Sequence, residues 1–340
     1  MRISIFIALL LLQSCLLEEK SDPKSKKSEL AILSEQIKND PNNLDFLMQR
    51  ISYNQSNNRW SSVLFDAKRC MSLDSLNSYH HFLVAQAYFE VSKIDHSKTD
   101  FPNLSLFHLK KAIQYDNTNY QAYSLQGELF LIFGKYKKAI DSFNQSLTLS
   151  YNQEKTHLLM GFTFKQLSQH DEAVTCFNNA LSINPDFVEA YIQLGQLYHT
   201  KMDTLAVIYY DNAISIDPDN IMTLYNKALF FQHYQDYNKA ILSYSELFKV
   251  DPFHADGHYN LGFIHMELGL YDVAANNFAD AIYSNPNFYE AFYSRGNCFE
   301  TLGNIRQAES DYKEAIKIKD DYTYAIEALE DLQKKNKKYK

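Results

Sequence analysis

The sequence predicts an all-α solenoid of about eight helix-turn-helix repeats closed by a C-terminal capping helix, and three observations carry the prediction. Four X-Pro pairs, Asn184-Pro185, Asp217-Pro218, Asp251-Pro252 and Asn285-Pro286, stand 33, 34 and 34 residues apart. The same residue kinds return at fixed offsets before each proline. Leu261-Gly262, His265, Gly269, Tyr271, Ala274, Phe278 and Ala281 are matched one period on by Arg295-Gly296, Phe299, Gly303, Ile305, Ala308, Tyr312 and Ala315. Finally, small and large residues alternate at helical spacing. In the first helix of each block Gly127, Gly161, Gly195, Ala228, Gly262 and Gly296 mark a close helix approach, and a large residue three places on shares that face. In the second helix Ala139, Ala173, Ala206, Ala240, Ala274 and Ala308 each precede an aromatic by four residues, which makes a groove beside a ridge. Proline then ends the helix because it lacks the N–H and forces the preceding residue out of the helical region.

In chain order, Leu30, Leu33 and Ile37 followed by Asp40-Pro41 read as a covering helix. The repeats fall at 44–77, 78–119, 120–153, 154–187, 188–220, 221–254, 255–288 and 289–322. The first keeps Trp60, Val63, Ala67, Cys70 and Leu73 but lacks the Leu-Gly pair. The second keeps Ala85, Tyr88 and Ala112 and carries roughly eight extra residues between its helices, around 92–101. Tyr324, Ile326, Leu329 and Leu332 give 323–335 an amphipathic stripe that would cover the apolar face of the last repeat, as stacked repeats require. The solenoid thus runs 30–335, and the basic residues 336–340 read as a disordered tail.

This pattern resembles the tetratricopeptide repeat (TPR) family. The resemblance implies a right-handed superhelix whose concave surface, lined by the first helix of each repeat, holds a peptide or helix of a protein partner. It also implies a scaffold and not an enzyme. At the concave offsets Tyr225, Tyr259 and Tyr293 form a ladder one period apart, with Asn226 and Asn260 beside them and Asn297 further along. Asn amides can hold a peptide backbone through paired donor and acceptor bonds. Tyr and Asn at these offsets are equally what the repeat itself would supply. Charge separates partners better: Glu189, Asp256 and Glu290, with Asp45, Glu90, Glu128, Glu267 and Glu300, outnumber Lys155 and Lys165 there. An acidic groove and a net charge of -8 disfavour nucleic acid and favour a neutral or basic partner segment, although a solvated face would look the same.

The N-terminus points to an envelope location. Met1-Arg2 is followed by the apolar run 3–12 and by Gln13-Ser14-Cys15, a run too short to span a bilayer. Leu12, Ser14 and Cys15 resemble the lipobox of bacterial lipoproteins. That resemblance implies a signal peptide at 1–14 and Cys15 carrying acyl chains such as palmitate, which together anchor the chain stably to a membrane. Leu16, where Asp would retain an enterobacterial lipoprotein in the inner membrane, favours the outer membrane. Residues 15–29 are polar and read as a flexible tether. Glu18-Glu19-Lys20 resembles surface-export signals of Bacteroidota lipoproteins, so a surface-exposed component of a secretion or polysaccharide-uptake complex is an alternative. A cytoplasmic TPR assembly protein is another.

No catalytic constellation appears: the chain has no phosphate loop, CxxC, HExxH or GxSxG, and neither a cofactor nor a metal is expected. His258 and His265 occupy offsets that other repeats fill with aromatic core residues, and adjacent His80 and His81 point apart. His254 and His258 have chelating spacing, but His254 belongs to a turn. Cys70, Cys176 and Cys298 sit in different repeats, too far apart for a disulfide, and read as small buried residues.

Overall fold

The computed structural model describes residues 28–338. The expected signal peptide 1–14, the lipidation site Cys15, the tether through residue 27 and tail residues 339–340 lie outside them. Among the described residues there are eighteen helices and no strand. None of these helices is long and apolar enough to cross a membrane. The chain divides after Tyr151 into two compact units.

The first unit opens with α1 (Glu29–Asn39), which begins at the residue expected to end the tether, because the Ser28 side chain accepts from the Ala31 N–H and caps it. Its buried Leu33 and Ile37 face the first repeat, where Ile37 joins Leu47, Ile51 and Val63 in one core. Three helix pairs follow: α2 (Leu44–Ser56) with α3 (Trp60–Leu73), α4 (Ser78–Ile94) with α5 (Phe101–Tyr115), and α6 (Tyr120–Ile132) with α7 (Tyr136–Leu149). The extra residues of the second repeat are spent partly on a longer first helix, 17 residues against 13 in its neighbours. They also let Phe101 pack edge-on against Tyr88 at 4.8 Å.

The second unit holds five pairs: α8 (Glu154–Gln166) with α9 (His170–Ile183), α10 (Val188–Thr200) with α11 (Leu205–Ile216), α12 (Ile221–His233) with α13 (Tyr237–Val250), α14 (Ala255–Glu267) with α15 (Tyr271–Ser284), and α16 (Tyr289–Thr301) with α17 (Ile305–Ile318). The closing helix α18 (Thr323–Lys338) buries Ala325 and Leu332 against the last pair and continues through the first three residues of the basic tail.

One contact repeats through the core. A methyl group on Gly161, Gly195, Gly262 or Gly296 would lie 2.5–2.7 Å from the ring of Phe177, Tyr210, Phe278 or Tyr312, each of them fully buried. Missing Cβ atoms in the first helix therefore make room for the aromatic of the second. The turn inside every pair but α4/α5 needs one left-handed residue. Gly134, Gly269 and Gly303 supply it without strain, whereas Asn58, Ser168, Met202 and Gln235 adopt it at φ of 53–60°. Between pairs, Asn43, Asn77 and Asn220 cap the next helix, and each amide donates back to an Asp three residues earlier at 3.0–3.2 Å.

Candidate functional site

In the second unit the first helices of successive pairs approach one another, α10 with α12 and α14 with α16. The residues expected to bind a partner all lie on these helices. Tyr225, Tyr259 and Tyr293 are half-buried, and each is held between two rings. One ring is the buried aromatic of its own second helix: Tyr244 at 6.4 Å, Phe278 at 5.5 Å and Tyr312 at 5.9 Å. The other comes from the junction to the next pair: His254 at 4.8 Å, Phe288 at 4.9 Å and Tyr322 at 5.6 Å. The ladder thus packs the repeats together and offers only its outer edges to a ligand.

Two of the three asparagines are engaged. Asn260 donates its amide to the Tyr225 hydroxyl at 3.0 Å, and Asn297 accepts from the Tyr312 hydroxyl at 2.8 Å. The Asn226 Nδ2 is buried with no hydrogen-bond partner. Burial pushes the Tyr225 and Tyr259 hydroxyls above their ordinary pKa, and the charges of Asp256 and Glu290 push in the same direction.

Among the carboxylates, Glu189 accepts from Gln193 at 2.8 Å, and Gln193 in turn accepts from Lys165 at 2.7 Å. Lys165 also reaches Gln196 at 3.0 Å. Burial lowers its pKa while Glu189 raises it. Glu300 is met by Lys335 of α18 at 2.9 Å in the second unit, and Glu90 by Lys93 at 2.7 Å in the first, so neither carboxylate is left uncompensated. Asp256 and Glu267 remain exposed, and Glu290 is half-buried beside the tyrosines.

His254, His258 and His265 are each taken up by local contacts. His254 caps α14, its Nδ1 accepting from the Gly257 N–H at 3.0 Å. His258 stacks on Phe248 at 4.0 Å with its Nε2 on the Pro252 carbonyl, and His265 bonds Asn277. Among the described residues no group of three or more His, Cys, Asp or Glu could hold a metal ion. The three thiols are buried, and burial raises Cys70 and Cys176 to a pKa of about 11 and Cys298 to about 12.

Several arrangements escaped the sequence reading. His199 of α10 and His233 of α12, one period apart, meet at 3.0 Å, and His81 meets His108 at 3.1 Å. Arg50 and Asp66 form a bidentate pair in the first repeat, and Arg295 and Asp311 form its counterpart in the last. The signal for these was available, since Arg and Asp stand 16 residues apart at the same two offsets in both terminal repeats.

The stacked helix pairs, five of them locked by a missing Cβ against an aromatic ring, define an α-helical repeat protein of the kind that presents a face of first helices. Stretches of the chain match the tetratricopeptide repeat. Residues 120–153, 188–220, 255–288 and 289–322 match family descriptions of the tetratricopeptide repeat, and 163–201 match a TPR repeat. Anaphase-promoting complex subunit 3 of Schizosaccharomyces pombe is 26% identical over 174 residues, 51% of this chain and 26% of that protein. A TPR repeat-containing protein of Methanocaldococcus jannaschii is 24% identical over 228 residues, 64% of this chain and 40% of that one. The chain therefore spans well under half the length of either relative. Among solved structures, the C-terminal part of a TPR repeat-containing protein from Cytophaga hutchinsonii superposes with a TM-score of 0.61 at 13% identity, covering 68% of this chain and 96% of that one. That likeness concerns the fold alone.

Proposed function

We propose that this chain is a non-enzymatic scaffold of the bacterial cell envelope, lipid-anchored through Cys15, most simply in the outer membrane. In this reading the first-helix face of its later repeats holds a neutral or basic segment of another envelope protein. One observation carries the binding half. Asp256, Glu267 and Glu290 lie on two neighbouring first helices beside half-buried tyrosine edges, which presents negative charge next to apolar ring surface. The anchoring half rests on the sequence Leu12 to Cys15.

The test is crosslinking in intact cells, comparing the wild type with Asp256→Lys/Glu267→Lys/Glu290→Lys. Charge reversal is preferred to removing the tyrosines, because those rings hold the repeats together. Loss of one near-stoichiometric envelope protein from the variant, with its circular dichroism unchanged, supports the reading. Recovery of the same proteins from both would move binding off this face. Anchoring is tested separately with Cys15→Ser, which should abolish labelling by a palmitate analogue and release the chain from membranes. Retained labelling would exclude Cys15 as the acylated residue.

A further inference from the structure

The tyrosine ladder does not end as it proceeds. At the second position of their helices, α14 and α16 carry the carboxylates Asp256 and Glu290, but α18 carries Tyr324. Tyr324 is 65% exposed, one of the most exposed aromatic side chains among the described residues. Its ring lies 6.1 Å from Tyr293 and 5.7 Å from Tyr322, and those two lie 5.6 Å apart. The three rings form a nearly equilateral triangle, tilted against one another by 45–88°. Packing within the repeat requires Tyr293 and Tyr322, which recur as Tyr259 with Phe288. It does not require Tyr324, which stands outside that scheme.

Glu290 lies three residues before Tyr293 on the same face of α16. Its charge is felt at the Tyr322 and Tyr259 hydroxyls, raising both behind the larger effect of burial. The cluster already holds a cation at its rim. Lys319 sits 4.8 Å from the centroid of Tyr289, with its Nζ 3.2 Å from that hydroxyl, and Tyr289 packs edge-on against Tyr322 at 4.8 Å. An acceptor carboxylate beside tilted ring faces is the arrangement that selects a positively charged group over a neutral one of the same size.

We infer that Tyr293, Tyr322, Tyr324 and Glu290 form a pocket for one cationic side chain, preferentially arginine, of a segment lying along the first-helix face. The inference deepens the proposed function and rests on it. A guanidinium stacked on the exposed face of Tyr324 would lie inside the ~6 Å reach of cation–π attraction, with the Tyr293 and Tyr322 rings flanking it. Arginine is favoured over lysine because a planar guanidinium can stack on one ring while donating to a carboxylate, and because it is the more weakly hydrated ion.

The probe is a random ten-residue peptide library displayed on phage and panned against the full chain in detergent. Peptides that win should carry arginine at one fixed position. Replacing that arginine with neutral, isosteric citrulline should weaken binding about tenfold. Tyr324→Ala should remove most of the preference for arginine over citrulline while leaving citrulline-peptide affinity unchanged, and Glu290→Gln should do the same with the ring trio intact. Tyr324 is exposed, so both variants should keep the wild-type helical signal. Winning peptides that are displaced by Asp256→Lys but bind equally well as arginine and citrulline forms would overturn the pocket and leave the groove reading standing. A library that yields no winning peptide would count against both.

Discussion

Cutting the Arg295–Asp311 pair is the sharpest test of how the last repeat is held. Arg295 Nε and Nη2 reach the two Asp311 oxygens at 2.8 Å each, from α16 to α17. The Asp311 side chain is 7% exposed and Arg295 21%. A charged hydrogen bond contributes about 1.5–3 kcal/mol, and stranding one partner of a buried pair costs about 3–5 kcal/mol. Two features move this pair to the lower part of the range. Water reaches the guanidinium, and the rings of Phe292 and Phe299 stay within 5.5 and 5.8 Å of it. Asp311→Ala should therefore destabilise the last repeat by about 2–3 kcal/mol. Arg295→Met/Asp311→Leu, which removes both charges and keeps the volume, should return to within about 1 kcal/mol of the wild type. Long repeat arrays need not unfold in one step, so native-state hydrogen exchange is the assay, read at amides of α16 and α17 against those of α10. If Asp311→Ala leaves the exchange of α16 unchanged, or if the double variant is worse than either single one, the pair does not hold these helices in the way its geometry indicates.

Three further outcomes follow from the same structure. Gln235 and Met202 adopt a left-handed backbone that Gly269 and Gly303 adopt freely, so Gln235→Gly should stabilise its repeat by about 0.5–1 kcal/mol in urea unfolding and Gly269→Ala should destabilise by about 1 kcal/mol. The thiols of Cys70, Cys176 and Cys298 are buried with raised pKa values, so an aromatic disulfide reagent at pH 8 should label them only as fast as the chain opens, and labelling of the native protein within seconds would contradict their burial. Burial, then His81 and Lys68, depress His108 to a pKa of about 4. Below its ordinary value near 6.5 the unfolded chain binds this proton and the folded one does not, so the contribution is complete above pH 6.5 and is lost as pH falls toward 4. Between pH 7 and 4.5 the first unit should lose about 2 kcal/mol of stability that His108→Gln does not lose, as followed by hydrogen exchange in α5.

The architecture was legible because its cause is local and repeated. A glycine at 262 and an aromatic at 278 read as a close helix contact in one block, and Gly161 with Phe177, Gly195 with Tyr210 and Gly296 with Tyr312 say the same thing at the same spacing. Repetition averages out the ambiguity of any single block. What lay outside the reading depends on side chains from different helices meeting, as with His199 and His233, or Lys165 and the glutamines of the next repeat. A period fixes which offsets face one another, but it does not fix rotamers or say which amide turns toward which hydroxyl. Asn260 could as well have faced solvent as Tyr225.

The same averaging explains why recurrence is a poor guide to the site. Tyr225, Tyr259 and Tyr293 stand one period apart, and their regular neighbours His254, Phe288 and Tyr322 show why: each tyrosine fills the joint between one pair and the next. A residue selected by packing returns whenever the packing does, whereas a partner binds one particular stretch of the array and leaves its mark where the pattern is broken. Tyr324 in place of a carboxylate, Lys165 facing a pair of glutamines, and Asn226 with an unsatisfied buried amide are three such breaks in the second unit. If the first-helix face binds a segment, substitutions at these three positions should change partner affinity more than they change stability. The ladder tyrosines should do the reverse, and comparing the two sets by peptide binding and urea unfolding decides whether recognition here is written in the repeat or in its exceptions.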